Sequence, residues 1–191
     1  MEERKFDVKK LDKLNNPERL KEFPAETILK LANINNPKTL IDLGAGTGFF
    51  SIPFAKKIKD SKIYACDISE VMIDWMKEHI TNEYDNIIPL KMEENSIPLE
   101  NEIADFLFMV NLHHELNDPE KTLTECYRLL KPKGKIAISD WKKENTSHGP
   151  SINFRYNTKS VEKQLLENGF HNISLHTNFP NNFLIIGEKN I

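Results

Sequence analysis

Short apolar runs alternate along the chain with longer segments of helical periodicity. Five of the apolar runs are predicted as β-strands, and they lie at residues 39–43, 62–66, 86–92, 103–110 and 135–141. The fourth run, Ile-Ala-Asp-Phe-Leu-Phe-Met-Val, is almost entirely apolar, as expected of a central parallel strand that is covered on both faces. Strands that alternate with helices predict a parallel sheet with right-handed crossovers.

Four helices are predicted around these strands. Their expected bounds are 49–59, 69–80, 118–131 and 158–168, with Ser69 and Asp118 as caps and Gly169 just past the last end. Positions expected to face the core include Val71, Met72, Trp75, Met76, Ile80, Leu123, Cys126, Tyr127, Leu130, Val161, Leu165 and Leu166. Residues 142–157 form a polar loop without clear periodicity.

The last predicted elements are two strands that form a hairpin. Ile173, Leu175 and Thr177 alternate with polar residues, and so do Phe183 and Ile185. A hairpin must place one antiparallel strand in an otherwise parallel sheet. At 191 residues the whole chain, 1–191, is predicted to be one domain, with a Rossmann-like core at 37–191.

Residues 1–36 precede the first strand and are predicted to be helical. Phe6, Val8, Leu11 and Leu14 share one face of a short helix, and Asn15-Asn16-Pro17 ends it. Pro17 and Pro24 each begin a further helix, in which Ile28, Leu29 and Leu31 are expected to face the core. Two interpretations stay open for this segment: a lid over a ligand, or plain packing on one face of the sheet.

Composition and charge argue against nucleic-acid-binding, membrane-spanning and secreted proteins. The formal net charge is −3 and the pI is about 6.1, so no nucleic-acid partner is expected. No apolar run approaches the roughly 20 residues of a membrane span, and the N-terminus has no signal-peptide pattern, which predicts a cytoplasmic protein. Cys66 and Cys126 lie in apolar segments and are expected to be buried free thiols.

The chemistry is predicted to begin at a glycine loop that follows the first strand. Gly44, Gly46 and Gly48 allow the backbone to approach a ligand closely, and the helix that follows presents free N–H groups to an anion. The spacing is G-x-G-x-G, and it differs from the G-x-G-x-x-G of dinucleotide-binding folds. A nucleotide-like ligand is therefore predicted at this loop, with a purely structural glycine turn as the alternative.

Preceded by Leu-Ile-Asp-Leu, this loop resembles the first motif of class I S-adenosylmethionine-dependent methyltransferases. Arg-Leu-Leu-Lys-Pro-Lys-Gly at 128–134 resembles the R-x-L-K-P-G-G of the same family, and the resemblance covers residues 38–141 well. His-His-Glu at 113–115 and Asp-Trp-Lys-Lys at 140–143 are most similar to small stand-alone enzymes of the ubiquinone/menaquinone type.

The resemblance implies a doubly wound α/β fold. It consists of a single, mostly parallel seven-stranded sheet in the order 3-2-1-4-5-7-6, with helices on both faces. It also implies S-adenosylmethionine as cofactor and S-adenosylhomocysteine as product. The implied cofactor contacts are Asp42, Gly44, Ala45, Gly46, Gly48, Asp67, Ile68, Met72, Glu93, Glu94 and Asn111.

The positions of some of these residues suggest which part of the cofactor each one contacts. Asp67 ends the second strand, where its carboxylate can accept from both ribose hydroxyls or can merely cap the next helix. Ile68 and Met72 are placed to sandwich an adenine ring. Ile97-Pro98-Leu99 resembles the family's L-P-F, which aligns Glu93 and Glu94 with the adenine-binding positions; an exposed loop glutamate is the alternative.

The catalytic candidates follow the fourth strand. The sulfonium makes the methyl group electrophilic, so the protein has to align a nucleophile and, where needed, remove its proton. His113, His114 and Glu115 lie where the cleft of such a sheet is expected, and the neutral form of histidine is a suitable base because its ordinary pKa is about 6.5. A structural role for either histidine is the alternative. Their spacing differs from H-E-x-x-H, so no metal is predicted.

The predicted function is methylation of a small-molecule acceptor with S-adenosylmethionine. Three alternatives remain: a macromolecular acceptor, an arsenite or thiol-type methyltransferase, and a non-catalytic cofactor-binding module of the same fold. Arsenite chemistry needs several thiolates, and two cysteines in apolar segments supply them poorly. His148, Arg155 and Tyr156 are candidates for the substrate mouth, with a solvated loop as the alternative. The oligomeric state is not indicated.

Overall fold

The computed structural model describes residues 11–146 and 148–191. Phe6 and Val8, which are predicted to lie on the first helix, fall outside the described residues. The strands are β1 (Thr39–Leu43), β2 (Lys62–Asp67), β3 (Ile87–Lys91), β4 (Ala104–Val110), β5 (Leu130–Trp141), β6 (Phe170–His176) and β7 (Asn182–Lys189). They form a seven-stranded sheet in the order β3-β2-β1-β4-β5-β7-β6, so the predicted order is confirmed.

Pairing in the sheet is parallel except at β7. β1 pairs in parallel with β2 and β4, β2 with β3, and β4 with β5, whereas β7 is antiparallel to both β5 and β6. In the β1–β2 register Leu43 lies opposite Cys66. The glycine loop after β1 and Asp67 at the end of β2 therefore meet at the same edge of the sheet.

Helices pack on both faces of the sheet. Their bounds are α1 (Leu11–Leu14), α2 (Glu18–Glu22), α3 (Ala25–Leu31), α4 (Ser51–Lys57), α5 (Glu70–His79), α6 (Pro119–Leu129) and α7 (Thr158–Glu167). Short 3₁₀ turns lie at His113–Glu115 and Ile152–Phe154. The core forms two clusters, one with α3, α4 and α5 and the other with α6 and α7. Alternate β4 residues enter each cluster: Phe106 and Phe108 the first, Leu107 and Met109 the second.

Two helix starts differ from their predictions. The turn of the glycine loop continues to Phe50, so α4 begins at Ser51 and not at residue 49. The Ser69 side chain makes no capping hydrogen bond; instead the Ser69 backbone N–H donates to Asp67 Oδ1 at 2.8 Å. The cap on α6 is confirmed, because the Asp118 carboxylate accepts from the Lys121 N–H.

β5 begins five residues earlier than predicted, at Leu130. Leu130 is buried and pairs with Ala104, and the register then shifts so that Phe106 pairs with Lys135. The Lys-Pro-Lys-Gly segment, predicted to end the helix, forms an irregularity within the strand, where Lys133 has a φ of 65°. Burial of Leu130 outweighs the turn signal of proline and glycine.

Three residues that were predicted to face the core are exposed. The exposed fractions are 37% for Leu31, 53% for Val71 and 54% for Leu166. Val71 and Leu166 each lie one position from a buried residue, and one position on a helix is a rotation of about 100°. Cys66 and Cys126 are buried free thiols, as predicted, and burial raises the pKa of both. Within the described residues, no helix has the length and apolarity needed to cross a membrane.

Candidate active site

A cavity of about 1360 Å³ lies at the carboxyl ends of β1, β2, β4 and β5. Its walls are the glycine loop, the start of α5, the turn after β4, the segment between β5 and α7, and part of the N-terminal helices. A single small-molecule pocket usually measures roughly 300–1,000 Å³. The cavity is therefore large enough for two ligands side by side.

Most of the predicted cofactor contacts meet in this cavity. Nine of the eleven line it: Asp42, Gly44, Ala45, Gly46, Asp67, Ile68, Met72, Glu94 and Asn111. The described residues that line the cavity do not include Gly48 or Glu93.

The glycine loop has two distinct parts. Gly44, Gly46 and Gly48 all have left-handed φ values, 69°, 56° and 72°, which favour glycine. A Cβ on Gly44 would lie 2.6 Å from Leu112 Cδ1, so the backbone passes close to the turn after β4. A Cβ on Gly48 would lie 3.1 Å from Met76 Sδ, which indicates that Gly48 allows α5 to pack and does not form the cavity wall.

Asp67 is held beside the glycine loop by backbone donors. Its Oδ2 accepts from the Gly46 N–H and its Oδ1 from the Ser69 N–H, each at 2.8 Å. Burial raises the pKa of this carboxyl, and the backbone donors act in the opposite direction. Each carboxylate oxygen has a second lone pair, so the group is able to accept two further hydrogen bonds from a diol.

Asp42 lies below the glycine loop and is almost completely buried. Its Oδ2 accepts from Ser51 Oγ at 2.7 Å. Burial, the largest effect, raises the pKa of Asp42 to about 7. Near neutral pH its charge therefore responds to a cation placed in the cavity.

The two glutamates after β3 separate in the structure. Glu94 lines the cavity and accepts from Asn117 Nδ2, whereas Glu93 is exposed and its backbone bridges to Ser96. Ile68 and Met72 line the same end of the cavity with apolar atoms. This end therefore combines one carboxylate with apolar walls.

The turn after β4 presents His114 to the cavity, and an aspartate of β5 holds this histidine in place. The His114 backbone N–H donates to Asp140 Oδ2, and ring Nδ1 lies 2.8 Å from Asp140 Oδ1. Since a carboxylate only accepts, Nδ1 carries the hydrogen and Nε2 of the neutral ring is the base. Burial lowers the pKa of His114, but Asp140 outweighs it, and the net pKa is raised. Glu115 Oε1 lies 3.7 Å from Nε2.

His113 points away from the cavity. Its ring is fully buried, edge-on to Tyr156 at 4.7 Å, with Gln164 of α7 beside it. Burial lowers the pKa of His113, so the ring is neutral. The geometry gives this histidine a packing role.

Several cavity residues carry no sequence assignment. Trp141 ends β5 and lines the cavity, and Asp140 beside it contacts His114. A polar residue at the carboxyl end of a strand beside the predicted cleft is a signal that the rule for α/β sheets already provides. Leu14 and Arg19 of the N-terminal segment also line the cavity. Leu14 lies on the helix face that the sequence predicts for a possible lid, whereas no motif marks Arg19.

The N-terminal segment contacts the glycine loop directly. Thr47 Oγ1 donates to Asn15 Oδ1 at 2.7 Å, and the Arg19 guanidinium lies 4.7 Å from the centre of the Phe50 ring. Leu14 Cδ1 lies 3.4 Å from the Cβ position built on Gly46. The segment thus covers the cofactor end of the cavity, while its closing stays a prediction.

Of the three residues predicted at the substrate mouth, only His148 lines the cavity. Arg155 is buried and donates to backbone carbonyls, and Tyr156 packs on His113. A solvated loop is wrong for both of these residues, because each side chain has close partners inside the fold.

Known proteins share both the sequence pattern and the structure. Residues 41–138 match the methyltransferase-domain family. A crystal structure of an S-adenosylmethionine-dependent methyltransferase from Aquifex aeolicus is 34% identical, with a TM-score of 0.89 over 96% of this chain and 99% of that one. This chain belongs to the S-adenosylmethionine-dependent methyltransferases. The predicted family is confirmed.

Curated methyltransferases of known activity are more distant. Malonyl-[acyl-carrier protein] O-methyltransferase of Methylococcus capsulatus is 26% identical over 149 residues, which are 73% of this chain and 54% of that protein. Demethylmenaquinone methyltransferase of Chlamydia pneumoniae is 30% identical over 110 residues, 58% of this chain and 47% of that protein. The second relative supports the predicted ubiquinone/menaquinone-type subgroup. The chain spans about half the length of these curated relatives.

Proposed function

We propose that this methyltransferase binds S-adenosylmethionine in the cavity and transfers the methyl group to a small-molecule acceptor, leaving S-adenosylhomocysteine. The observation that carries the proposal is the joining of two constellations in one cavity. The glycine loop with Asp67 forms one end, and the His114–Asp140 pair forms the other. The bound cofactor supplies an electrophilic methyl on its sulfonium.

The cofactor end fits such a molecule in charge and shape. Gly44 and Gly46 line the cavity without side chains, and Asp67 offers acceptors to ribose hydroxyls. Ile68 and Met72 suit an adenine ring. Asp42, whose pKa is about 7, would ionise more fully beside a cationic ligand.

The acceptor end fits proton removal. Nε2 of His114 would take the proton from the attacking group, and Asp140 would orient the ring and stabilise the resulting imidazolium. Leu116, Trp141 and Phe154 line the cavity with apolar atoms, which would limit the access of water to the reacting groups. In this proposal the protein aligns the acceptor with the methyl group, limits the access of water and supplies a base.

Thiol or arsenite methylation has less support. Such chemistry needs thiolates that face the acceptor. Cys66 and Cys126 are buried, do not belong to the described residues that line the cavity, and have pKa values raised by burial. We also propose a cytoplasmic location, in which these two buried free thiols would stay reduced.

Ligand-induced stabilisation tests the proposed cofactor. S-Adenosylmethionine and S-adenosylhomocysteine should each raise the melting temperature, because a ligand that binds only the folded state stabilises it by mass action. NAD and ATP serve as matched nucleotide controls. Stabilisation by NAD alone would contradict the assignment.

Turnover separates the enzyme from a non-catalytic binding module. Purified protein is incubated with S-adenosylmethionine and pools of small acceptors, and formation of S-adenosylhomocysteine is followed. Formation that depends on one pool supports the enzyme. Binding of the cofactor without turnover across the pools favours the binding module.

A further inference from the structure

The segment between β5 and α7 forms the wall of the cavity that faces the acceptor end. His148, Pro150, Ser151 and Phe154 line the cavity from this segment. Apart from the short turn at Ile152–Phe154, the described part of the segment has no helix or strand. Something other than secondary structure must therefore fix its shape.

Arg155 supplies this support from inside the wall. Nε donates to the Pro150 carbonyl at 2.9 Å, and Nη1 donates to the carbonyls of Lys142 and Glu144 at 3.1 and 3.0 Å. Nη2 donates to the carbonyls of Pro150 and His148 at 2.7 and 3.4 Å. A guanidinium has five N–H donors, so every donor of Arg155 is engaged by this one segment.

The same guanidinium joins the segment to the end of β5. Its central carbon lies 5.4 Å from the Trp141 ring centre, and His148 approaches that ring edge-on at 5.3 Å. Gly149, with a φ of 106°, passes so close that a Cβ there would lie 2.8 Å from Trp141 Cε3. Trp141 is thus enclosed by the segment and itself lines the cavity.

The next residue joins this wall to the catalytic turn. Tyr156 packs against His113, which is adjacent in sequence to His114. Two consecutive residues therefore reach both sides of the acceptor end: Arg155 the wall, and Tyr156 the turn that presents the base.

We propose that Arg155 is a positioning residue that fixes the acceptor-facing wall, and that this wall decides which acceptor is taken. Because its five donors are engaged, Arg155 does not bind an anionic group of the acceptor; it acts through the carbonyls that it holds. The inference rests on the proposed methyltransferase function of the same cavity.

Arg155→Lys and Arg155→Met test the role of the five-donor fork. Lysine keeps the charge but has at most three donors on one nitrogen, and methionine keeps the length without charge or donors. Lys143→Gln is the matched control, because it removes an exposed cation from the same segment. All variants carry Trp75→Phe, which leaves Trp141 as the single tryptophan of the sequence.

Hydrogen exchange and tryptophan quenching measure the wall directly. Loss of two or more hydrogen bonds should speed amide exchange in residues 142–154 by roughly 10- to 100-fold in both Arg155 variants. Acrylamide quenching of Trp141 should rise, while Lys143→Gln resembles the parent. Parental exchange and quenching in Arg155→Met would overturn the proposal.

Cofactor affinity and acceptor kinetics exclude a general structural effect. S-Adenosylhomocysteine affinity by calorimetry should stay within about twofold of the parent, since none of the Arg155 contacts reaches the glycine loop. The KM for acceptors from the turnover pools should rise roughly 10- to 100-fold, with the KM for S-adenosylmethionine unchanged. An equal loss of affinity for S-adenosylhomocysteine and for the acceptors would overturn the positioning role. Failure of the parent to bind S-adenosylhomocysteine would instead overturn the proposed function, whatever the exchange data show.

Discussion

His113 and His114 are neighbours in the sequence but face opposite sides of the turn after β4. His114 lines the cavity and contacts Asp140, whereas His113 packs against Tyr156 with Gln164 of α7 beside it. Consecutive residues of a 3₁₀ turn point about 120° apart, and the hydrophobic pattern does not say which one faces the cleft. The sequence therefore predicts that this turn reaches the cleft, but not which of the two histidines faces it.

Removing the proposed base should abolish most turnover and leave cofactor affinity unchanged. We expect His114→Asn to lower the methylation rate by roughly 10²- to 10⁴-fold, and Asp140→Asn to lower it because the ring loses its orienting carboxylate. Affinity for S-adenosylhomocysteine should remain, since its proposed contacts lie at the glycine loop. The measurements are turnover and calorimetry on each variant.

His113→Ala is the control for that pair. It should lower the melting temperature, because a buried ring is lost. If His114→Asn turned over at the parental rate, the acceptor would need no histidine base. The enzyme would then contribute mainly alignment.

Asp67 should account for much of the cofactor affinity. Asp67→Asn removes one charged acceptor, and a charged hydrogen bond contributes on the order of 1.5–3 kcal/mol, so affinity for S-adenosylhomocysteine should fall roughly 10- to 100-fold. Glu93→Gln and Glu94→Gln tell the two loop glutamates apart. Glu94→Gln should weaken binding and Glu93→Gln should not, as only Glu94 lines the cavity. Unchanged calorimetric affinity in Asp67→Asn would reduce that residue to a helix cap.

Asp42 should make the stability of the ligand-free protein depend on pH. Its pKa rises from 3.8 to about 7 on folding, so the folded state holds the proton more tightly. The contribution of Asp42 to the free energy of unfolding is therefore largest below about pH 4, and it is lost as the pH rises from 4 through 7. Asp42→Asn should therefore flatten the dependence between pH 4 and 7. The free energy of unfolding of parent and variant is measured by urea unfolding at each pH. The same pH dependence in both proteins would contradict the raised pKa of Asp42.

Individual elements are predicted well where pattern and packing agree. β1 has its predicted bounds, β2 and β4 differ by one residue at one end, and β3 differs by one residue at each end. β5 starts early because Leu130 pairs with Ala104 across the sheet, a long-range contact that no local turn signal contains. Arg155 is predicted at the substrate mouth, and its contacts with backbone carbonyls are missed for the same reason, since these partners come together only when the segment folds.

The N-terminal helices are expected to respond to the cofactor. Leu14 and Arg19 line the cavity and contact the glycine loop region, so ligand binding should order them. We expect hydrogen exchange in residues 11–20 to slow when S-adenosylhomocysteine binds. Exchange in α7, on the other face of the sheet, is the internal control. Equal protection with and without ligand would leave only the packing interpretation.

The whole molecule follows from the alternation of strands and helices together with the family resemblance. The strand order, the helices on both faces and the position of the cleft are all confirmed at this level. The side-chain partnerships that complete the acceptor end, Asp140 with His114 and Arg155 with its carbonyls, join distant parts of the chain. These contacts form only in the folded protein, so the local sequence pattern does not predict them.

The insertion of β7 between β5 and β6 has a consequence for biosynthesis. β6 is made first, yet its neighbour in the sheet is β7, which follows it in the chain. While a ribosome is still translating residues 182–189, β6 has no strand to pair with and β5 presents an unpaired edge. Such edges invite association with other chains. This side of the sheet is therefore completed last, and a nascent chain halted after β6 leaves the edge of β5 open to association with other chains.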